Sequence, residues 1–237
     1  MEARLRHGQL TSSIEELFSE MIGYASPDDV TQPSRHVPAA DQAANVIVCE
    51  NRDGYAQTLD DGGLLEIATE NDLVIQLHFR PGDFIHRDQV GFSVWPRESV
   101  DDELSQQLQD CIALGVARTP HQNLLFIVDQ LVESASRALS PGVNDPYTAI
   151  ICMRWLGNGL IVMATRQDPE PYRYDATRTS GSFAKAVTFR DVCSAIFDQL
   201  RPYYATDRNA AIQMMQTIAT VRSCTRNEDR RAPERTR

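Results

Sequence analysis

The sequence predicts an α+β protein: a small β barrel or sandwich unit, of barrel-sandwich character and with one inserted helix, followed by a helical bundle. Three observations predict it. The 237 residues are 42% hydrophobic and 24% charged, which is ordinary globular composition with enough length to bury a core. Between Val46 and Pro96 short runs rich in β-branched and aromatic residues are punctuated by turn residues. After Pro96 the apolar period lengthens to that of a helix and stays there, with one substantial interruption.

The elements follow in order. Residues 1–25 are read as an amphipathic N-terminal helix, because Leu10, Ile14, Leu17, Phe18, Met21 and Ile22 recur at helical spacing and Thr11, Ser12 or Ser13 can cap it. Its polar side carries Glu15, Glu16 and Glu20, so it suits packing or oligomerisation better than an anionic bilayer surface. Residues 26–44 are a linker with prolines, small residues, Asp28, Asp29 and Asp41 and no apolar period. Residues 45–97 form the β-rich unit, with strands over VIVC, YAQTL, LVIQLHF and GFSVW. Asp53-Gly54, Gly62-Gly63 and Pro81-Gly82-Asp83 separate these runs, and Leu64, Leu65, Ile67 and Ala68 mark the inserted helix.

Residues 98–224 are expected to form the bundle. Leu104, Leu108, Cys111 and Ile112 line a first helix, and Leu124, Val128, Leu131, Val132, Ala135 and Leu139 a second. Ile150, Met153, Leu156 or Leu160, Ile161 and Ala164 line a third, where Gly157 and Gly159 mark a kink or a close helix contact. Phe189, Val192, Cys193, Ile196, Phe197 and Leu200 line the fourth, and Ile212, Met215, Ile218, Ala219 and Arg222 the fifth. The interruption at 167–182, rich in Pro, Arg, Tyr and Thr, is a disordered or a functional loop, and its Tyr172-Arg173-Tyr174 stretch a connector or a recognition loop. Residues 225–237 are polar and aperiodic, as in a disordered tail.

Charge and residue usage exclude several function classes. A net charge of -10 argues against phosphate backbones, and hence against nucleic acid, as partners. The stretch Ala149 to Ala164, broken by Arg154 and Asn158, is shorter than the roughly 18 to 20 apolar residues a bilayer requires. The N-terminus has no continuous apolar segment of the kind a signal peptide carries. Cys49, Cys111, Cys152, Cys193 and Cys224 are widely spaced and read as reduced core thiols. His7, His36, His78, His86 and His121 are scattered, with no paired metal-ligand spacing, so no metal is predicted. Lys185 is the single lysine, which removes most amine-based covalent chemistry. No nucleophile elbow, dinucleotide fingerprint or phosphate loop occurs, and the reading calls for no cofactor and leans away from an enzyme. The acidic pairs Asp28/Asp29, Asp60/Asp61 and Asp101/Asp102 each adjoin a turn or helix start, where aspartates cap.

The most informative stretch is RALSPGVNDPYTA, from Arg137 to Ala149. Ser140-Pro141-Gly142 stops one helix, with Gly142 free to take a positive φ. Asn144 or Asp145 caps the next, with Pro146 in its first position and Thr148 in its third. Around this corner Arg118, Gln122, Arg137, Asn144, Asp145 and Thr148 form a candidate ligand site, since two guanidiniums and a helix N-terminus suit a small anion. The competing local account pairs Arg137 with Asp145 and lets Arg118 cap carbonyls.

RALSPGVNDPYTA, with ARTPHQN, DGYAQTLD, the RPGDFI turn and IFDQLRPYYATDRNA, resembles the soluble C-terminal region of a bacterial family of predicted membrane proteins, domain of unknown function 2254. The resemblance runs from about Asn45 to Val221; SPGVNDP is its most specific motif and RPGDF its weakest, and the N-terminal helix resembles the segment that follows the family's last membrane helix. It implies a location at the cell membrane, with this region facing the cytoplasm and soluble by itself, and the membrane-spanning region of the same protein as a partner. The chain is expected to be either an excised soluble part or a shortened relative. The expected role is non-enzymatic, in oligomerisation, sensing or regulation, with a homo-oligomer as the assembly; the alternative is a small-anion binding protein or enzyme. RPGDFI also resembles the turn of biotinyl and lipoyl carriers, but no lysine falls between Val46 and Pro96, and Asp88 stands where the turn pattern favours glycine.

Overall fold

The computed structural model describes residues 43–47, 53–165, 168, 172–174 and 181–225. The expected N-terminal helix, nearly all of the linker, most of the 167–182 loop and nearly all of the tail lie outside the described residues. The chain divides into two units: 43–123 with 170–186, and 124–169 with 187–225.

The first unit contains two open sheets and two helices; no barrel closes among the described residues. Strands β1 (Ala44–Ile47), β5 (Val90–Trp95), β3 (Val74–Leu77), β8 (Gly181–Phe183) and β7 (Tyr172–Tyr174) lie in that order. The pairings are antiparallel except β3 with β8, which is parallel. Strands β4 (Phe84–Ile85), β2 (Gly54–Leu59) and β6 (Ile112–Gly115) form the second sheet, all antiparallel. The inserted helix α1 (Asp61–Glu70) and helix α2 (Asp102–Asp110) cover them. Alternate residues of both sheets enter one core, among them Val46, Ala56, Ile75, Leu77, Ile85, Phe92 and Val94, together with Leu64 of α1 and Leu104 and Leu108 of α2.

Two expectations change here. Ile112, read as the end of a helical stripe, begins β6, because α2 stops at Asp110 and, after Cys111, the next four residues pair with β2. Tyr172–Tyr174, within the expected loop, and Gly181–Phe183, across its end, add two strands to the larger sheet. Lys185 therefore belongs to the same unit as β1–β6, although it follows β8 and lies outside the 46–96 stretch.

Caps set the starts of both helices in this unit. The Asp60 carboxylate accepts from Gly63 N at 2.9 Å, and that of Asp101 from Leu104 N at 2.8 Å. Turn residues set the strand ends. Gly82, at φ +97°, closes the RPGD turn and hydrogen-bonds Ala56 O at 2.7 Å, while Ala56 N donates to Asp83 O at 2.9 Å. Asp88 does adopt the left-handed backbone, φ +56°, of a position that favours glycine.

The second unit is helical: α3 (Leu124–Ala138), α4 (Pro146–Ala164), α5 (Phe189–Tyr204) and α6 (Arg208–Cys224). Its core joins Leu131 and Val132 of α3, Met153 and Leu160 of α4, Ile196 and Leu200 of α5, and Met214 and Val221 of α6. Thr188 and Asp191 make a reciprocal capping box at the start of α5, and Asp207 caps α6. Because α4 begins at Pro146, its 19 residues are long and apolar enough to cross a membrane by length and composition, which corrects the shorter estimate from Ala149. Within this unit eight of them are buried in the core.

The approach of α4 to α6 is close at Gly157, where a Cβ would lie 2.5 Å from Thr217 Cγ2. Gly157 thus marks a helix contact. The face of α6 turned to the core is Ala210, Met214, Thr217 and Val221, whereas Ile212, Met215, Ile218, Ala219 and Arg222, expected to line it, are exposed.

Candidate functional site

The α3–α4 corner is built from its own backbone and short side chains. After Ala138 the chain folds back on itself: Asn144 N donates to Ser140 O at 2.9 Å and Asp145 N to Ala138 O at 2.8 Å. The Ser140 hydroxyl donates to Arg137 O at 2.6 Å, satisfying one of the last carbonyls of α3. The left-handed residue is Asn144, φ +47°, and not Gly142, whose surroundings are open. Asn tolerates that conformation because its short amide costs little there.

Asp145 is the cap of α4. Its carboxylate accepts from Thr148 N at 3.1 Å through one oxygen and from the Thr148 hydroxyl at 2.6 Å through the other. These hydrogen bonds, the hydroxyl's first, hold its pKa below the usual carboxylate value against a smaller opposing effect of burial. Arg137 is not its partner: the guanidinium forms an exposed ion pair with Glu133, one turn back on α3.

Arg118 and Gln122 belong to the other unit, so the six residues named from the sequence are divided between two units. Gln122, at φ +53°, accepts from Leu59 N at 2.9 Å and donates to Leu59 O at 3.0 Å, so its amide pairs with the end of β2 as a neighbouring strand would. Arg118 Nη2 reaches Asn123 Oδ1 at 3.5 Å. Asn123 is itself buried and packs on Gly82 of the RPGD turn.

One polar arrangement escapes sequence reading, because its members are far apart in the chain and carry no motif. Asn45 of β1 faces Ser93 of β5, and His78 follows β3. The buried Ser93 hydroxyl lies 2.7 Å from His78 Nε2 and donates to Asn45 Oδ1 at 3.1 Å. With the hydroxyl proton on Asn45, His78 supplies the other, the reverse of a histidine that takes a serine proton for catalysis. The row ties three strands together.

The two buried thiols, Cys111 and Cys152, are poorly suited to act as nucleophiles. Burial, with smaller effects of Asp60 and Asp110, pushes Cys111 up to about 11, and burial pushes Cys152 up to about 11. Between α3, α4 and α5 lies an apolar cavity of about 20 Å³, lined by residues that include Leu131, Leu156, Met163 and Ile196. It has room for about one water and few polar groups to hold it, so it is packing slack and not a metabolite pocket. Among the described residues no three His, Cys, Asp or Glu side chains come together as metal ligands.

Comparison with known proteins places these features in context. The family described as predicted membrane protein (DUF2254) matches residues 1–220. Among curated relatives, the uncharacterized protein Rv1290c of Mycobacterium tuberculosis is 25% identical over 212 residues, 88% of this chain and 39% of the relative. The uncharacterized protein Mb1321c of Mycobacterium bovis matches with the same identity and coverage, 25% over 212 residues. The chain therefore spans 39% of the length of these relatives. No solved structure matches it.

Proposed function

The chain belongs to the family of predicted membrane proteins (DUF2254), and from that premise we propose that its two units form a non-enzymatic, cytoplasm-facing region that assembles or regulates a larger membrane protein. What carries the reading is the state of the polar residues that come nearest to a site. Asp145 is engaged by Thr148, Gln122 by Leu59 and Arg137 by Glu133, each within a few residues or across one strand end. Local hydrogen bonding accounts for these groups without a ligand.

The rival reading, a small-anion site at the corner, meets an obstacle at the N-terminus of α4. The Asp145 carboxylate already occupies the position that the helix dipole and the first N–H groups would offer an anion, and its negative charge would repel a second. Light scattering with native mass spectrometry on the purified chain separates the two. We expect a homo-oligomer that retains no small molecule. A monomer carrying a stoichiometric anion overturns the assembly reading and makes Arg118 and Arg137 the residues to substitute first.

A further inference from the structure

Helix α6 carries apolar side chains on two faces, and the core uses one. Opposite Ala210, Met214, Thr217 and Val221, the side chains of Ile212, Met215 and Ile218 are 46%, 65% and 38% exposed, and Ala219 is exposed beside them. Arg208, Ile212, Met215, Ala219 and Arg222 follow one line of the helix, so an arginine closes each end of a stripe about 21 Å long at 1.5 Å per residue. Both arginines are exposed, and neither pairs with an acid among the described residues. Helix α6 contains no Asp or Glu, and the exposed residues flanking the stripe, Asn209, Gln216, Thr220 and Ser223, are neutral.

Charge decides what fits this stripe. A second copy of the same face brings arginine to arginine in either direction: antiparallel about Met215 it sets Arg208 against Arg222, and parallel it sets each against itself. The fitting surface takes apolar side chains along its middle and cations at both ends, all from one side. A bilayer that carries anionic lipid has that layering, with acyl chains beneath a sheet of phosphates. Because Arg208 and Arg222 lie on the stripe's own line, their guanidiniums reach the plane that the apolar side chains enter, and their stems lie along it while the charged heads stay among the phosphates. The acidity of the whole chain does not oppose this contact. The described residues of the helical unit hold six arginines against seven acids, so most of the net charge of -10 belongs to the rest of the chain. Of those acids, Asp145, Asp191 and Asp207 serve as caps and Glu133 pairs with Arg137.

We infer that the outer face of α6 rests on the surface of a bilayer containing anionic lipid, with Ile212, Met215 and Ile218 entering the interface and Arg208 and Arg222 on lipid phosphates. The inference rests on the proposed place of this chain beside a membrane, and not on its assembly.

Co-sedimentation of the full chain with vesicles tests it, using phosphatidylcholine alone and phosphatidylcholine mixed in equal parts with phosphatidylglycerol. The expected result is binding to the mixed vesicles that weakens as salt rises and is about tenfold or more weaker on phosphatidylcholine alone. Arg208→Gln with Arg222→Gln should weaken binding by about tenfold or more, since each arginine near an anionic surface contributes a factor of about five. Arg208→Lys with Arg222→Lys should keep most of the affinity, because the lipid field acts on charge. Ile212→Ser with Met215→Ser, both at exposed positions, should also weaken it by about tenfold or more while the melting temperature stays near that of the parent. Three results overturn the inference: no binding to the mixed vesicles, equal binding to both kinds, or binding indifferent to the α6 substitutions. Substitutions in α6 that convert an oligomer to a monomer overturn it too, and make a second copy the occupant. Absent vesicle binding leaves the proposed function standing, since a membrane-spanning region of the same protein would hold the chain at the bilayer without α6, whereas an absent oligomer strikes the assembly reading alone.

Discussion

Asp145 concentrates two local jobs in one carboxylate, accepting the third N–H of α4 and the Thr148 hydroxyl at once. Replacing it with alanine should cost about 1 kcal/mol of stability, the ordinary worth of an N-cap, and denaturant unfolding will read it directly. Because its pKa is lowered on folding, that contribution is present above the ordinary carboxylate value and fades as pH falls through the folded value. The parent and Asp145→Ala should therefore converge in stability under acid conditions. A ligand-dependent change in melting that disappears in the variant would instead favour the anion site. At this scale the sequence was legible where partners are close in the chain: the cap at Asp145, Pro146 in the first helical position and the caps Asp60 and Asp101 all follow from spacing. It was illegible for Gln122, whose role depends on the end of β2, 63 residues away. It also pointed to Gly142 for the left-handed position that Asn144 takes, since both residue types accept a positive φ.

The helices themselves were readable because each keeps an apolar period over several turns, and α6 shows where that signal fails. Its core side uses Thr217 against Gly157, where close approach of α4 demands a small side chain, and the bulkier Ile212 and Met215 are left outside. Hydrophobicity alone therefore selects the wrong face. The contact makes its own prediction: Gly157→Ala should destabilise the helical unit by about 1 to 3 kcal/mol through overpacking, and Thr217→Ala should relieve much of that loss. Melting temperatures of the two single variants and the double variant give the coupling, and strictly additive losses would mean the two helices are not in contact there. Strand β6 was missed for a different reason. Its four residues begin one residue after α2, and Ile112 extends the apolar stripe of Leu104 and Leu108, so helix and strand cannot be told apart without the partner β2.

Across the whole molecule, burial of ionisable groups sets the response to alkali. Cys111 in the sheet unit and Cys152 in the helical unit are both raised from 9.0 to about 11, and burial also pushes the Tyr204 phenol up as its hydroxyl donates to Ala149 O at 2.6 Å. Between pH 9 and 11 the folded protein keeps thiol protons that the unfolded chain gives up, so stability present below about 9 is lost as pH rises across that window. Melting curves from pH 7 to 11 should fall, and Cys152→Ala should fall less steeply, though from a lower start because of lost packing. The α+β class and the order of its parts were legible from periodicity, but the return of Tyr172–Tyr174 and Gly181–Phe183 to the sheet was not, because no pattern within three residues names a partner strand. That return has a consequence during synthesis. Strand β3 waits for β8 until about a hundred more residues have been translated, some 5 to 20 s at bacterial rates, with the hydrogen-bonding edge meant for β8 unpaired while α3 and α4 emerge. A nascent chain stalled in that interval offers an open strand to its neighbours on the same message, so slowing translation there should lower the yield of native protein.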